Sequence, residues 1–355
     1  MTDLTIRAVP ITAATAVPDA DLIAATVVRN DVYAAMGGTR DEDIPPETFL
    51  QEFTGTSQRH HLWVIERGGA VVALARLDVP LDAGATHAYA EVLVLPPHWG
   101  VGIGSAGVEL VERTAAEAGR DSLTAWAEHP ADARVPQLAA PTGFGTVPED
   151  HIARFLQQHA YVLEQVERKS VFDLSGDLTR VRELLRDAEE HAAGYEVLTW
   201  VGATPAELQA PMAELRRRMS IDVPSADLNT AEENWDAARV RENDARVLAS
   251  GVLRQWTVAR HIDSGALVAY NVLGRLTDPE SITEQGDTLV HGDHRGHRLG
   301  MLVKCRGILS WHEQSPRSPR ILTWNAEENR PMLAINEALG FVPAGYVGAW
   351  QKRIR

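Results

Sequence analysis

Residues from Glu91 read "EVLVLPPHWGVGIGSAGVELV" and lie without a gap over "DTLVHGDHRGHRLGMLVKCRG" from Asp287. A chain of 355 residues that repeats a unit in this way is expected to fold as two copies of one domain rather than around one large core. Each copy opens on an acidic residue and a short run rich in β-branched residues, Val92-Leu93-Val94-Leu95 or Thr288-Leu289-Val290-His291. A loop follows, then a helix whose apolar residues recur at helical spacing: Val108, Val111, Ala115 and Ala118, or Leu302, Cys305, Ile308 and Leu309.

The correspondence continues on both sides. Downstream lie a second strand, "SLTAWAE" or "RILTWNAE", and a further helix, "IARFLQQHAYV" or "NRPMLAINEALGF". In the latter, Gly340 suits a left-handed helix end with Phe341 packing back. The first copy adds about 20 residues, from Pro130 to Asp150, with Pro136, Pro141 and Pro148 along it and no periodicity, which reads as an irregular loop. Upstream of each repeat come helical stretches and paired strands, the latter joined at "ERGGA" and "HIDSGA" by hairpin turns. The charged segment "SGDLTRVRELLRDAEEHAA" reads as a helical connector over residues 176–194. It separates an N-terminal domain, 1–175, from a C-terminal one, 195–355.

Composition narrows the function. Forty-nine acidic against 34 basic residues give a net charge of −15, which argues against nucleic acid or an anionic membrane as partner. A single cysteine, Cys305, excludes an internal disulfide framework and a cysteine-rich metal site, and it reads as a small core residue. No histidine spacing, "RHH" at 59–61 included, suggests a metal site. With no signal-like N-terminus and no apolar run near the ~18 residues that span a bilayer, the expectation is a cytoplasmic protein, monomeric or homodimeric.

Turns that open a helix gather unpaired amides at the positive end of its dipole, which suits a phosphate. Glycines let a diphosphate approach the backbone, and Arg295, His297 and Arg298 add donors in the second copy. The glycine spacing matches neither the Walker-type phosphate loop nor the Gly-x-Gly-x-x-Gly dinucleotide fingerprint.

"WGVGIG" from Trp99 and "RGHRLG" from Arg295 resemble the acetyl-CoA loop of the GNAT N-acetyltransferase superfamily, Arg/Gln-x-x-Gly-x-Gly/Ala. "NAEENRPMLAINEALGF" resembles the second half of that fold. The resemblance implies an α/β (α+β) chain of two tandem acyl-CoA N-acyltransferase domains, similar in layout to the mycothiol synthases. Each would be a mixed, mostly antiparallel sheet flanked by helices and splayed at the acetyl-CoA site. It further implies acetyl-CoA as co-substrate, no metal, and acetyl transfer to a primary amine of a small molecule by direct attack in a ternary complex.

Carried onto this sequence, the cofactor residues are Leu289, Val290, Arg295, Gly296, His297, Arg298, Leu299, Gly300, Asn325 and Asn329. Gly100, Gly102 and Gly104 are their counterparts in a first copy read as degenerate. Strand amides near Leu289 and Val290, or Leu93 and Val94, would polarise the thioester. Asp287 is the first candidate base; strand alternation puts it on one face with Leu289 and His291, the second candidate. Asn336 stands where the family carries a tyrosine acid, and Leu156 does so in the first copy. A carboxamide donates a hydrogen bond but releases no proton at neutral pH, so water, Tyr346 and the terminal carboxyl of Arg355 also enter as acids. Asn325 and Asn329 read equally as helix caps. Trp99 replaces the loop's Arg/Gln, and Arg298 replaces a loop glycine, which predicts that position 298 needs no positive φ. The tryptophans read as core or cleft wall, with an aromatic cage for a cation as the other possibility.

The acidic balance suggests a polyamine-like or aminoglycoside-like acceptor. Three alternatives stay open: a non-catalytic CoA-binding or scaffold protein, a protein N-acetyltransferase, and catalysis by the first half with Glu91 as base.

Overall fold

The computed structural model describes residues 4–12, 14–130 and 134–354. They divide into two compact units, Met1–Glu167 with Ser225–Ala231 and Gly345–Arg355, and Arg168–Pro224 with Glu232–Ala344. In chain order the elements are β1 (Leu4–Ala8), α1 (Ala20–Gly37), α2 (Pro46–Gln51), β2 (Gln58–Arg67), β3 (Ala70–Pro80), β4 (His87–Val94), α3 (Ile103–Glu117), β5 (Ser122–His129), β6 (Gln137–Ala139), β7 (Thr146–Pro148), α4 (His151–Gln158) and β8 (Val162–Asp173). There follow α5 (Thr179–His191), β9 (Tyr195–Val201), α6 (Gln209–Asp222), α7 (Ala237–Ala249), β10 (Leu253–His261), β11 (Leu267–Arg275), β12 (Thr283–Val290), α8 (Leu299–Gln314), β13 (Arg320–Ala326), α9 (Arg330–Leu339) and β14 (Val342–Arg353).

The first unit orders its strands β1-β2-β3-β4-β5-β14, antiparallel except for β4 beside β5. The second runs β13-β12-β11-β10-β9, antiparallel except for β12 beside β13. This is the mixed, mostly antiparallel α/β architecture expected twice over. The turn between β2 and β3 is made by Gly68 and Gly69, both at positive φ as a tight hairpin requires.

The parallel pairs are short. β4 and β5 pair only from His87–Ser122 to Tyr89–Thr124, and β12 and β13 only at Thr283–Ile321 and Glu284–Leu322. Beyond these points the strands part. β4 and β12 keep their other edges paired to β3 and β11, so the opening in each sheet is held by a strand anchored on one side.

Apolar residues cover both sheet faces. In the second unit α8 and α5 bury one face through Val181, Leu185, Leu302, Cys305, Ile308 and Trp311, while α6 covers the other through Met212 and Leu215 against Trp256, Tyr270 and Leu289. In the first, α1 packs on Val64, Leu74 and Leu93, and α3 on Ala75, Leu77 and Leu123.

Three observations differ from the expected layout. The segment expected as a connector forms α5 and lies in the second unit's core, because its Val181, Leu185 and Ala188 make one apolar face. The final strand, expected in the C-terminal domain, belongs from Gly345 onward to the first unit, where Trp350 and Ile354 are core residues. The irregular loop holds a hairpin, β6 with β7, turning at Gly143 and Gly145 and anchored by buried Ala140 and Val147.

Candidate acyl-CoA site

The two loops share one backbone course. Each leaves its strand through a short 3-10 turn, Pro96–His98 or Gly292–His294, and enters its helix at a left-handed residue. Gly100 and Gly102 have φ of 72° and 88°, and Gly296 has 89°. Arg298 has φ of 52°, so the expectation that this position avoids positive φ is overturned. The turn geometry is the same with or without glycine, and a non-glycine residue held there costs about 1–2 kcal/mol. Nothing lies within 4 Å of where a Cβ would stand on Gly100, Gly102 or Gly296, so the surface that would receive a diphosphate is open.

Side chains at the loop starts behave alike despite differing in type. The Trp99 indole donates to the Val94 carbonyl at 2.7 Å, and Arg295 Nε reaches the equivalent Val290 carbonyl at 3.4 Å. Trp99 therefore replaces the strand contact that Arg295 makes. The Arg298 guanidinium pairs with Asp187 of α5, and His297 lies beside the Tyr195 ring, whose hydroxyl bonds His294 Nδ1 at 2.9 Å. Leu299 and Gly300 are buried in the first turn of α8, where a Cβ on Gly300 would meet Ile335 at 3.0 Å, as one on Gly104 would meet Phe155.

On the splayed side of β13 the second unit carries a polar chain. Lys304 Nζ donates to Asn336 Oδ1 at 2.7 Å, and Asn336 Nδ2 donates to Asn325 Oδ1 at 2.7 Å. Lys304 and Asn336 are fully buried. The ammonium also lies 5.5 Å from the Phe341 ring. Burial without a carboxylate partner lowers Lys304 to about 7, and burial raises the neighbouring Cys305 thiol to about 12. Asn325 and Asn336 are thus brought together, whereas Asn329 is an N-cap, accepting from the Met332 amide. Gly340 closes α9 at φ 105° with Phe341 packed back, as its sequence predicts.

Sequence reasoning missed Lys304. Its place in "HRGHRLGMLVK" suggests a solvated charge, yet it follows two core residues, Leu302 and Val303, on a helix covered by α5. In the first unit the equivalents of Asn325 and Asn336, Ala127 and Leu156, are apolar. Tyr346 lies in the first unit, packed against that unit's core, and Arg355 lies outside the described residues.

Asp287 sits where β12 bulges against β11, between the pairs Asn271–Thr288 and Leu273–Gln285. The buried Tyr270 hydroxyl donates to its Oδ2 at 3.3 Å, and burial together with the carboxylate raises that phenol well above its ordinary value. Leu289 shares this α6-covered face, while His291 turns into the 3-10 turn, its Nδ1 accepting from the Asp293 amide at 3.3 Å. In the first unit Tyr33 donates to Glu91 at 2.9 Å beside Arg76, and desolvation raises the Glu91 carboxyl. The candidate aromatic cage is already filled: the Arg216 guanidinium lies 4.2 Å from the Trp235 ring and 5.7 Å from Trp256. Among the described residues no three His, Cys, Asp or Glu side chains are grouped to hold a metal, and no helix is long and apolar enough to cross a membrane.

The GNAT acetyltransferase family model matches residues 29–144. No curated protein matches the chain. A tandem GNAT protein from the clavulanic acid biosynthesis pathway, solved without acetyl-CoA, is 26% identical with a TM-score of 0.73 over 99% of each chain. A GCN5-related N-acetyltransferase from Sphaerobacter thermophilus (16% identity, TM-score 0.64, 99% of this chain and 96% of that one) and myristoyl-CoA-bound N-myristoyltransferase from Saccharomyces cerevisiae (11%, 0.58, 99% and 79%) share the fold. With its repeated strand, loop and helix and its two sheets splayed at the same place, the chain has the build of a tandem GNAT acyltransferase, and its residues 29–144 match that family's model.

Proposed function

We propose that the chain transfers acetyl from acetyl-CoA to a primary amine of a small molecule, and that the second unit carries out the transfer. The observation that carries this reading is the Lys304–Asn336–Asn325 chain at the opening between β12 and β13. The first unit has apolar residues there. Acetyl-CoA supplies the thioester as substrate. Amides at the start of α8, with Arg295, His297 and Gly296, would receive its diphosphate.

Asp287 takes the proton that leaves the attacking amine, directly or through a water, with Tyr270 fixing the carboxylate. The Leu289 and Val290 strand amides would polarise the thioester carbonyl. Asn336 retains one amide hydrogen beyond its bond to Asn325, and that hydrogen would stabilise the departing thiolate sulfur. Lys304 positions the Asn336 amide and adds charge at that end.

A second reading places transfer in the first unit. The family match at 29–144, the paired glycines at positive φ and the half-buried Glu91–Tyr33 pair favour it.

Calorimetric titration of acetyl-CoA into the full chain and into Val101→Glu and His297→Glu separates the readings. Both substitutions add a negative charge to an exposed loop position without altering a glycine. Loss of binding only in His297→Glu, with loss of amine acetylation in Asp287→Asn, is the expected result. Loss only in Val101→Glu, with loss of turnover in Glu91→Gln, overturns it in favour of the first unit. Binding without turnover across an amine panel supports a CoA-binding protein instead.

A further inference from the structure

The α6-covered face of the second unit carries buried hydrogen-bond donors that meet no acceptor among the described residues. Trp200 of β9 pairs in register with Trp256 of β10, and their rings stack at 6.3 Å. Trp256 is 2% exposed, and the buried indole nitrogens of both residues lack a partner. The Arg254 guanidinium also lies 5.7 Å from the Trp256 ring, with Asn243 as its neutral partner at 2.9 Å, and Arg216 rests on the faces of Trp235 and Trp256.

Nearby carboxylates are committed elsewhere. Glu233 accepts from Trp235 and Arg239, Asp244 from the Thr204 amide, and Asp287 from Tyr270. Burial and the neighbouring Arg216 charge lower Arg254 to about 10. Two guanidinium groups share one indole beside two buried N–H donors, and the carboxylates whose charge reaches Arg254, Asp244 and Asp287, accept their hydrogen bonds from Thr204 and Tyr270. A buried donor left unpaired costs about 1–3 kcal/mol, so the arrangement is complete only with an acceptor-rich group in place.

We propose that Arg216, Arg254 and the Trp200 and Trp256 indoles bind the carboxylate of the acceptor, which makes that acceptor an amino acid or a close relative. The inference rests on the second-unit reading above. A planar carboxylate matches the arginine fork, which presents paired donors in a plane. Trp256 adjoins Tyr270, with ring centroids 5.8 Å apart, and Tyr270 bonds Asp287. A carboxylate held here therefore leaves the amine of the same small molecule on the face that bears the base.

The test uses the full chain with N-acetylglycine and N-acetylglycinamide as probes, which share an acylated amine and differ in the carboxylate. Binding is read by calorimetry and by fluorescence of the stacked tryptophans. The acid is expected to bind at least about tenfold more tightly than the amide, and Arg216→Met and Arg254→Met each to weaken the acid about ten- to a hundredfold, with Arg216→Lys intermediate. Equal affinity for acid and amide, no binding of the acid at tens of millimolar, or binding that survives both methionine substitutions overturns the site. Inorganic phosphate displacing the acid at lower concentration overturns its assignment to a carboxylate. Glycine and glycinamide with acetyl-CoA provide the activity readout: acid binding without turnover refutes the transferase reading alone, whereas equal turnover of the two refutes the carboxylate site alone.

Discussion

Lys304→Met should change how stability depends on pH as well as stability itself. Burial lowers the ammonium from its ordinary 10.5 to about 7. Between those values the unfolded chain binds the proton that the folded chain has lost, so stability rises with pH from about 7 toward 10.5. The slope approaches 1.36 kcal/mol per unit. Allowing for half-protonation near the lower limit, the gain is about 2 kcal/mol from pH 7 to pH 9. Cys305 acts oppositely, since its thiol is raised from 9.0 to about 12, but it lowers stability mainly above pH 9 and leaves this window largely undisturbed. Removing the ammonium strands Asn336 Oδ1 at a cost of about 1–3 kcal/mol, the same at both pH values. Urea unfolding followed by tryptophan fluorescence at pH 7 and 9, on both proteins, isolates the difference because every other titrating group cancels. A variant that gains as much as the native chain over this interval refutes an ammonium buried without a counterion.

Arg298→Gly relieves a left-handed residue at the cost of an exposed ion pair to Asp187. In high salt, where that pair is screened, it should raise stability by about 0.5–1 kcal/mol, read as a higher Tm; a lower Tm there counts against strain at this position. Gly307→Ala would put a Cβ 2.8 Å from Asn271 Oδ1 and 3.2 Å from Thr257 Oγ1, where α8 meets the sheet. A loss of about 1–3 kcal/mol in urea unfolding is expected, and an unchanged midpoint would show that the helix can move away. Tyr33→Phe removes the donor to Glu91 and should cost about 1–3 kcal/mol at pH 7. Burial already raises the Glu91 carboxyl, so its contribution falls as pH rises through the folded value. The loss should therefore be smaller near pH 4, and equal losses at both pH values argue against a charged Glu91.

Much of this architecture was legible because it follows from local rules. The repeat fixed the sheet plan, paired glycines marked the β2–β3 turn, and Gly340 with Phe341 marked the end of α9. The site was less so. Arg298 adopts positive φ because the turn is set by the strand and helix it joins, and residue preference yields to that context. Lys304 is buried because α8 is covered on one side by the sheet and on the other by α5, leaving almost no solvent face. A helical pattern shows which residues share a face but not how many faces are covered. The donor-rich surface around Trp256 joins residues from α6, β9 and β10 that lie 56 positions apart at most, with no common motif.

The assignment of residues 345–355 to the first unit also orders events during synthesis. The β5 edge that pairs with β14 from Tyr346–His129 to Arg353–Ser122 emerges from the ribosome more than 200 residues before its partner. At about 5–20 residues per second that edge waits unpaired for some tens of seconds or less, a period in which an open strand can recruit another chain. The first unit begins to form first and is completed last, so translation speed and crowding on polysomes act on the half that bears the family match, before any substrate is present.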